Sequence, residues 1–284
     1  MTQDTAAADR PSMRLSEPAM LPTSVGSLRV RDMGPGAGAG GTPLLLVHGL
    51  GGDIGLWAFN QAALAARRRV VAFDLPGHAG STKDIGDATV PTLARAIDAV
   101  VDTLDLGPVH LVGLSFGGAL ALDFARRRPE GLRSLTLVSA CGLGSEVDTS
   151  FLRDYLAAPD APSLAGVLRR LSHEPLPWDE RMLASAMAAR EIPGYRQAVS
   201  RIIDTCFPGN RQIYVDRALL GEIAVPTQLV WGAEDGIVPA AHARCLPAGM
   251  PVHILAEVGH VPNMEAPARF NALLGDFLDS ADPA

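Results

Sequence analysis

Lysine is almost missing from this 284-residue chain, in which Lys83 is the only one. A phosphate-binding Walker loop needs a lysine after its glycines, and Lys83 stands in "STKDIG", so that class of nucleotide site is excluded. Cysteine is scarce as well. Cys141, Cys206 and Cys245 are an odd number without a pairing pattern and read as free thiols in a reducing cytosol. No apolar run is long enough to span a bilayer, and no membrane partner is expected. The opening "MTQDTAAADRPSMRLSEPAM" lacks a basic stretch followed by an apolar one, so residues 1–22 are expected to be a disordered tail, with no secretion signal. Positive charge is not in excess either. A formal charge of -7 argues against nucleic acid as a main partner. The runs Arg67-Arg68-Arg69 and Arg126-Arg127-Arg128 are expected at the ends of two helices, where cations complement the helix dipole.

What is present is the composition of a soluble globular protein, with 48% hydrophobic and 19% charged residues. Strand and helix patterns alternate. "SLRVRDMG" alternates like a strand, while "TPLLLVHG" is a continuous apolar run of the kind buried on both faces. Helix is expected through "GLWAFNQAALAARR", strand in "RVVAFDLPG", helix in "PTLARAIDAVVDTL", strand in "VHLVGLS", helix in "FGGALALDFARRR" and strand in "LRSLTLVSA". Gly36, Gly38 and Gly41 match a dinucleotide fingerprint, but they lead into a strand where the fingerprint must open a helix. From about residue 141 to 222 no strand pattern is found, only helical stretches such as "SLAGVLRRL" and "DERMLASAMAAR". Alternation returns with "TQLVWGAED", "VHILAEVGH" and a last helix through "PARFNALLGDFL". The expected fold is therefore α/β, a mostly parallel central sheet with helices on both faces. Its core would comprise residues 23–140 and 223–284, with 141–222 as a helical cap insertion.

Gly113-Leu114-Ser115-Phe116-Gly117 reads G-x-S-x-G at a strand-to-helix bend. Such a turn strains the serine backbone and leaves no room for neighbouring Cβ atoms, which explains the glycines. A serine hydroxyl needs a base and the base needs an orienting carboxylate. His110 lies inside the strand feeding the turn, and His78, His173, His242 and His253 read as surface or packing residues. His260, in "AEVGHVPNMEAP", follows the last strand at the carboxyl edge that bears Ser115. "WGAEDGIVP" offers Glu234 and Asp235, and Asp235 is preferred because it sits further into the turn, beside Gly236. For the oxyanion, the expected donors are the N–H groups of Phe116, at a helix start, and Leu50, in "HGLGG". His48 is expected to buttress that loop. Nothing in the pattern calls for a metal.

Taken together, "HGLGG", "DLPGHAGS", "GLSFGG", "WGAEDGIVP" and "GHVPNMEAP" resemble the α/β-hydrolase superfamily from about residue 43 to the end. The resemblance implies a cap over a cofactor-free serine site, with nucleophile, acid and base on Ser115, Asp235 and His260 and oxyanion donors on Leu50 and Phe116. "LVHGLGGDIGLWAFN" and "SACGLGSEVDTSFLRDYL" are similar to the hydrolase-like catalytic domain of the acetoin dehydrogenase acetyltransferase component, and more distantly to meta-cleavage-product hydrolases. No lipoyl domain like that component's is expected here, since Lys83 stands in the wrong place for its modified lysine, so an acyl carrier would be expected on another chain.

The expected activity is hydrolysis of a small ester or thioester, or of a carbon–carbon bond next to a carbonyl, through an acyl-enzyme on Ser115. The alternatives are acyl transfer to a thiol and a non-catalytic ligand-binding fold. The partner is a small acyl substrate. Trp57, Phe151, Tyr155, Trp178 and Val261 are candidates to line its pocket.

Overall fold

Runs without polar alternation form the middle of the sheet. The computed structural model describes residues 14–15, 17–35, 40–176, 180–244 and 246–282. Its strands are β1 (Arg14–Leu15), β2 (Ala19–Thr23), β3 (Gly26–Gly34), β4 (Gly41–Val47), β5 (Arg68–Phe73), β6 (Val109–Leu114), β7 (Leu132–Val138), β8 (Thr227–Gly232) and β9 (Val252–Leu255). They lie in the order β1-β3-β5-β4-β6-β7-β8-β9, with β2 also paired to β3. From β5 through β9 each neighbour is parallel, whereas β3 runs antiparallel to β5. Every residue of β6 and β8 is buried, as continuous apolar strands covered on both faces must be.

The helices are α1 (Gln61–Ala65), α2 (Val90–Thr103), α3 (Phe116–Arg127), α4 (Ser150–Ala157), α5 (Ala161–Leu168), α6 (Glu180–Arg190), α7 (Tyr195–Cys206), α8 (Pro262–Glu265) and α9 (Pro267–Ala281). Thr89 caps α2 and Pro91 stands in its first turn, where a missing N–H costs nothing. Helices cover both faces of the sheet, and α4 to α7 form a helical insertion between β7 and β8. Because β7 and β8 are adjacent and parallel, the insertion leaves from the carboxyl edge of the sheet. Among the described residues, no helix is long and apolar enough to cross a membrane.

Two expectations are corrected. Within the expected tail, Arg14–Leu15 and Ala19–Thr23 are strands on β3, while residues 1–13 and 16 lie outside the described residues. The β2–β3 hairpin is closed where Thr23 Oγ1 donates to Gly26 O at 2.6 Å, a partner that composition does not reveal. The first arginine run does not end a helix. After α1 stops at Ala65, Arg68 and Arg69 already belong to β5. Arg68 is held there by carboxylates of the C-terminal helix region, Asp279 at 2.7 Å and Asp282 at 3.0 Å, and Arg69 by Asp32 at 2.7 Å. Paired charge makes a buried strand position tolerable for arginine. In the second run, Arg126 and Arg127 do occupy the last turn of α3.

Candidate active site

Ser115 sits between β6 and α3 with φ 53° and ψ -119°, a conformation that ordinary side-chain-bearing residues avoid. The flanking glycines are required by close approach. A Cβ on Gly113 would lie 2.5 Å from Gly117 O, and one on Gly117 would lie 2.5 Å from Val47 O and 2.7 Å from His48 O. The turn is pinned by backbone bonds. Ser115 N–H donates to Val138 O, and Ser115 O accepts from Gly118 and Cys141, each at 2.9 Å. Phe116 is the first residue of α3, so its N–H has no acceptor within the helix and lies at the positive end of the dipole.

His260 and Asp235 meet after the last two strands. His260 Nδ1 lies 2.9 Å from Asp235 Oδ2 and 3.0 Å from Oδ1. The Asp235 side chain is fully buried, and Ile237 and Val238 N–H groups each donate to Oδ1 at 2.9 Å. These fixed amides hold the carboxylate aimed at the imidazole. Glu234 is exposed and takes no part. With Nδ1–H donating to Asp235, Nε2 is the basic nitrogen of His260. The imidazole is placed from both sides, because His260 N–H donates to Leu171 O in the insertion and Glu265 accepts from Gly259 N–H.

The Gly49–Gly52 loop is a turn closed by Gly52 N–H to Gly49 O at 3.1 Å, with Gly51 at φ +78°. Two buried imidazoles hold it. His48 Nε2 accepts from Leu75 N–H and its Nδ1–H donates to Gly49 O, as expected of a buttress. His78 Nε2 accepts from Gly51 N–H at 3.0 Å, and its Nδ1–H donates to Pro76 O. Burial lowers both pKa values, that of His78 to about 3 with help from His48 and Lys83, so these rings stay neutral acceptors. His78 had no motif-based assignment. Only the fold reveals its role, since its partner lies 27 residues away.

Ser115, His260, Leu50 and Phe116 all line one cavity of about 380 Å³ between the sheet edge and the insertion. Phe151, Tyr155 and Val261 line it too. Trp57 does not, which corrects that expectation. It is fully buried in the core against Phe270, with ring centres 6.5 Å apart. Trp178 lies outside the described residues. No sequence pattern marks Cys141, a free thiol that lines the cavity and whose backbone N–H donates to Ser115 O at 2.9 Å. Burial pushes that thiol up to about 12, so it is a neutral neighbour and no competing nucleophile.

A second serine–histidine–aspartate set exists. His110 Nδ1 is 2.7 Å from Ser134 Oγ, and its Nε2 is 3.0 Å from Asp282 Oδ1. It sits near the amino ends of β6 and β7, opposite to Ser115, and neither His110 nor Ser134 lines the cavity. His110 and Ser134 are buried, and through Asp282 the set ties the segment after α9 to the sheet.

A family model described as alpha/beta hydrolase fold matches residues 42–267. The chain belongs to this family. The dihydrolipoyllysine-residue acetyltransferase component of the acetoin cleaving system from Pseudomonas putida is 38% identical over 85% of the chain. The chain spans 64% of that protein's length. A 2-hydroxymuconate semialdehyde hydrolase from a Pseudomonas species is 30% identical over 86% of the chain and 89% of its own length. Among solved structures, a meta-cleavage product hydrolase from Pseudomonas fluorescens superposes with a TM-score of 0.80 at 22% identity, covering 93% of the chain and 98% of that protein. That likeness shows the fold. In this α/β-hydrolase the strained serine, the neutral imidazole loop and the histidine–aspartate pair therefore sit on a shared architecture.

Proposed function

We propose that the protein is a serine hydrolase that cleaves a small ester or thioester through an acyl-enzyme on Ser115. The observation that carries this reading is the His260–Asp235 pair opening onto the same cavity as a serine held in a strained turn. Ser115 Oγ attacks the acyl carbon while His260 Nε2 takes its proton. The N–H groups of Leu50 and Phe116 receive the oxyanion, and Asp235 stabilises the imidazolium. Collapse expels the alcohol or thiol, which leaves with the proton from Nε2. Water, deprotonated by the same nitrogen, then releases the acid and restores Ser115. Cleavage of a carbon–carbon bond beside a carbonyl follows the same sequence with a carbon leaving group.

The insertion 141–222 acts as a cap, since Phe151 and Tyr155 of α4 line the cavity above the serine. Buried, unpaired Cys141 and Cys206 support a cytosolic setting. A second reading, transfer of the acyl group to a thiol, is favoured by the identity to the acetyltransferase component. An ester and thioester panel on wild type and Ser115→Ala, with and without a dithiol acceptor, tests both. Loss of turnover in the variant supports the nucleophile, and partition of acyl product between water and dithiol separates the two readings.

A further inference from the structure

Gly51 is gripped at both its peptide groups, once by the sheet core and once by the insertion. His78 Nε2 accepts its N–H, while Tyr195 Oη, from the first residue of α7, donates to Gly51 O at 3.0 Å. The two anchors touch each other, for the rings of His78 and Tyr195 meet edge-on with centres 6.3 Å apart. Tyr155 Oη stands 3.5 Å from Tyr195 Oη, and the Tyr155 ring packs over Gly51, where any added Cβ would meet it at 3.6 Å.

In a turn whose third residue has positive φ, flipping the central peptide converts one turn type into another. Here that central peptide is Leu50–Gly51, immediately next to the amide assigned to the oxyanion. His78 blocks the flip from below. Tyr195 fixes the following peptide from above, and it does so from the insertion.

We propose that Tyr195 is a positioning residue that couples seating of the cap helix α7 to the geometry of the oxyanion loop. It rests on the reading of Leu50 N–H as an oxyanion donor. Tyr195 is buried and does not line the cavity, so it acts through Gly51 and not on substrate. When α7 lifts, the Gly51 carbonyl loses its donor, so the Gly51–Gly52 peptide can rotate and withdraw the Gly52 N–H from Gly49 O, the carbonyl that shares a peptide with the Leu50 amide. Seating α7 restores both. Covering the substrate and arming the donor thereby become one event.

The test compares wild type with Tyr195→Phe, which keeps the ring contact with His78 and removes only the hydroxyl. With p-nitrophenyl butyrate, kcat is expected to fall about tenfold, less than the roughly hundredfold or greater loss of an oxyanion donor itself, with KM within about twofold. Affinity for a trifluoromethyl ketone, which forms an oxyanion on the serine, should fall by the same factor, while butyrate binding stays unchanged. Those binding measurements, made well below the melting temperature, separate positioning from a general loss of stability. Wild-type kcat in Tyr195→Phe, a loss confined to KM, or a kcat loss without weaker ketone binding overturns the proposal. If Ser115→Ala is inactive while Tyr195→Phe is unchanged, only the coupling fails. If Ser115→Ala stays active, the serine mechanism itself is wrong.

Discussion

His260 Nδ1 lies 2.9 Å from Asp235 Oδ2, and both side chains are almost wholly withdrawn from solvent. Asp235 is also the acceptor for two backbone amides of its own turn. Asp235→Asn keeps an oxygen for those amides but presents an amide or a neutral oxygen to the imidazole. That removes the charge that stabilises the imidazolium and disturbs the tautomer. We expect kcat for ester hydrolysis to drop by roughly four orders of magnitude, with the melting temperature little changed. Steady-state kinetics beside thermal unfolding of the same preparation measures both.

The bend at Ser115 predicts a steric penalty. Gly117→Ala would drive a Cβ to 2.5 Å from Val47 O, a backbone atom that cannot swing aside. Overpacking of this kind should destabilise the protein by about 1–3 kcal/mol, measured by urea unfolding. A variant as stable as wild type would mean that β4 and α3 approach less closely than described.

Pocket and core are separable by substitution. Phe151→Ala enlarges the cavity and should shift the preferred acyl chain towards longer esters. Trp57→Phe removes core volume away from the cavity and should lower stability without changing chain-length preference. A panel of p-nitrophenyl esters from acetate to octanoate, with unfolding curves, distinguishes the two responses.

The buried His110 predicts a pH dependence of stability. Burial, with Arg68 nearby, lowers its pKa to about 4 despite the opposing pull of Asp282. An unfolded histidine titrates near 6.5, so between about pH 6.5 and 4 the unfolded chain carries a proton that the folded chain refuses. Stability therefore falls as pH drops through that window, and this contribution is flat above and below it. In His110→Asn, the slope of unfolding free energy between pH 6 and 5 should be shallower by about one proton, or about 1.4 kcal/mol per pH unit. His48 and His78 act in the same direction in both proteins. Equal slopes would refute the assignment.

These particulars show what a chain of residues reveals on its own. β6 and β8 are legible because burial on both faces forces unbroken apolar runs, and the Ser115 bend is legible because its close contacts demand glycine. Partnerships across long separations are not legible. Gly51 and Tyr195 are 144 residues apart, and nothing in the "HGLGG" motif points to the tyrosine that binds it. Trp57 and Phe151 are equally apolar, and only the fold sends one to the core and the other to the cavity. Arg68 reads as a helix end until Asp279 and Asp282 arrive from the far end of the chain. β2 is an edge strand whose existence depends on β3 more than on its own composition.

The covalent step is open to direct observation. Wild-type protein is mixed with a slowly deacylating ester, quenched in acid within milliseconds to seconds, and examined by intact-mass and peptide mass spectrometry. The account predicts a transient gain of one acyl group on the peptide bearing Ser115, absent from Ser115→Ala and slow to form in His260→Ala. Full turnover with no such adduct, or an adduct that forms equally well when residue 115 is alanine, would contradict it.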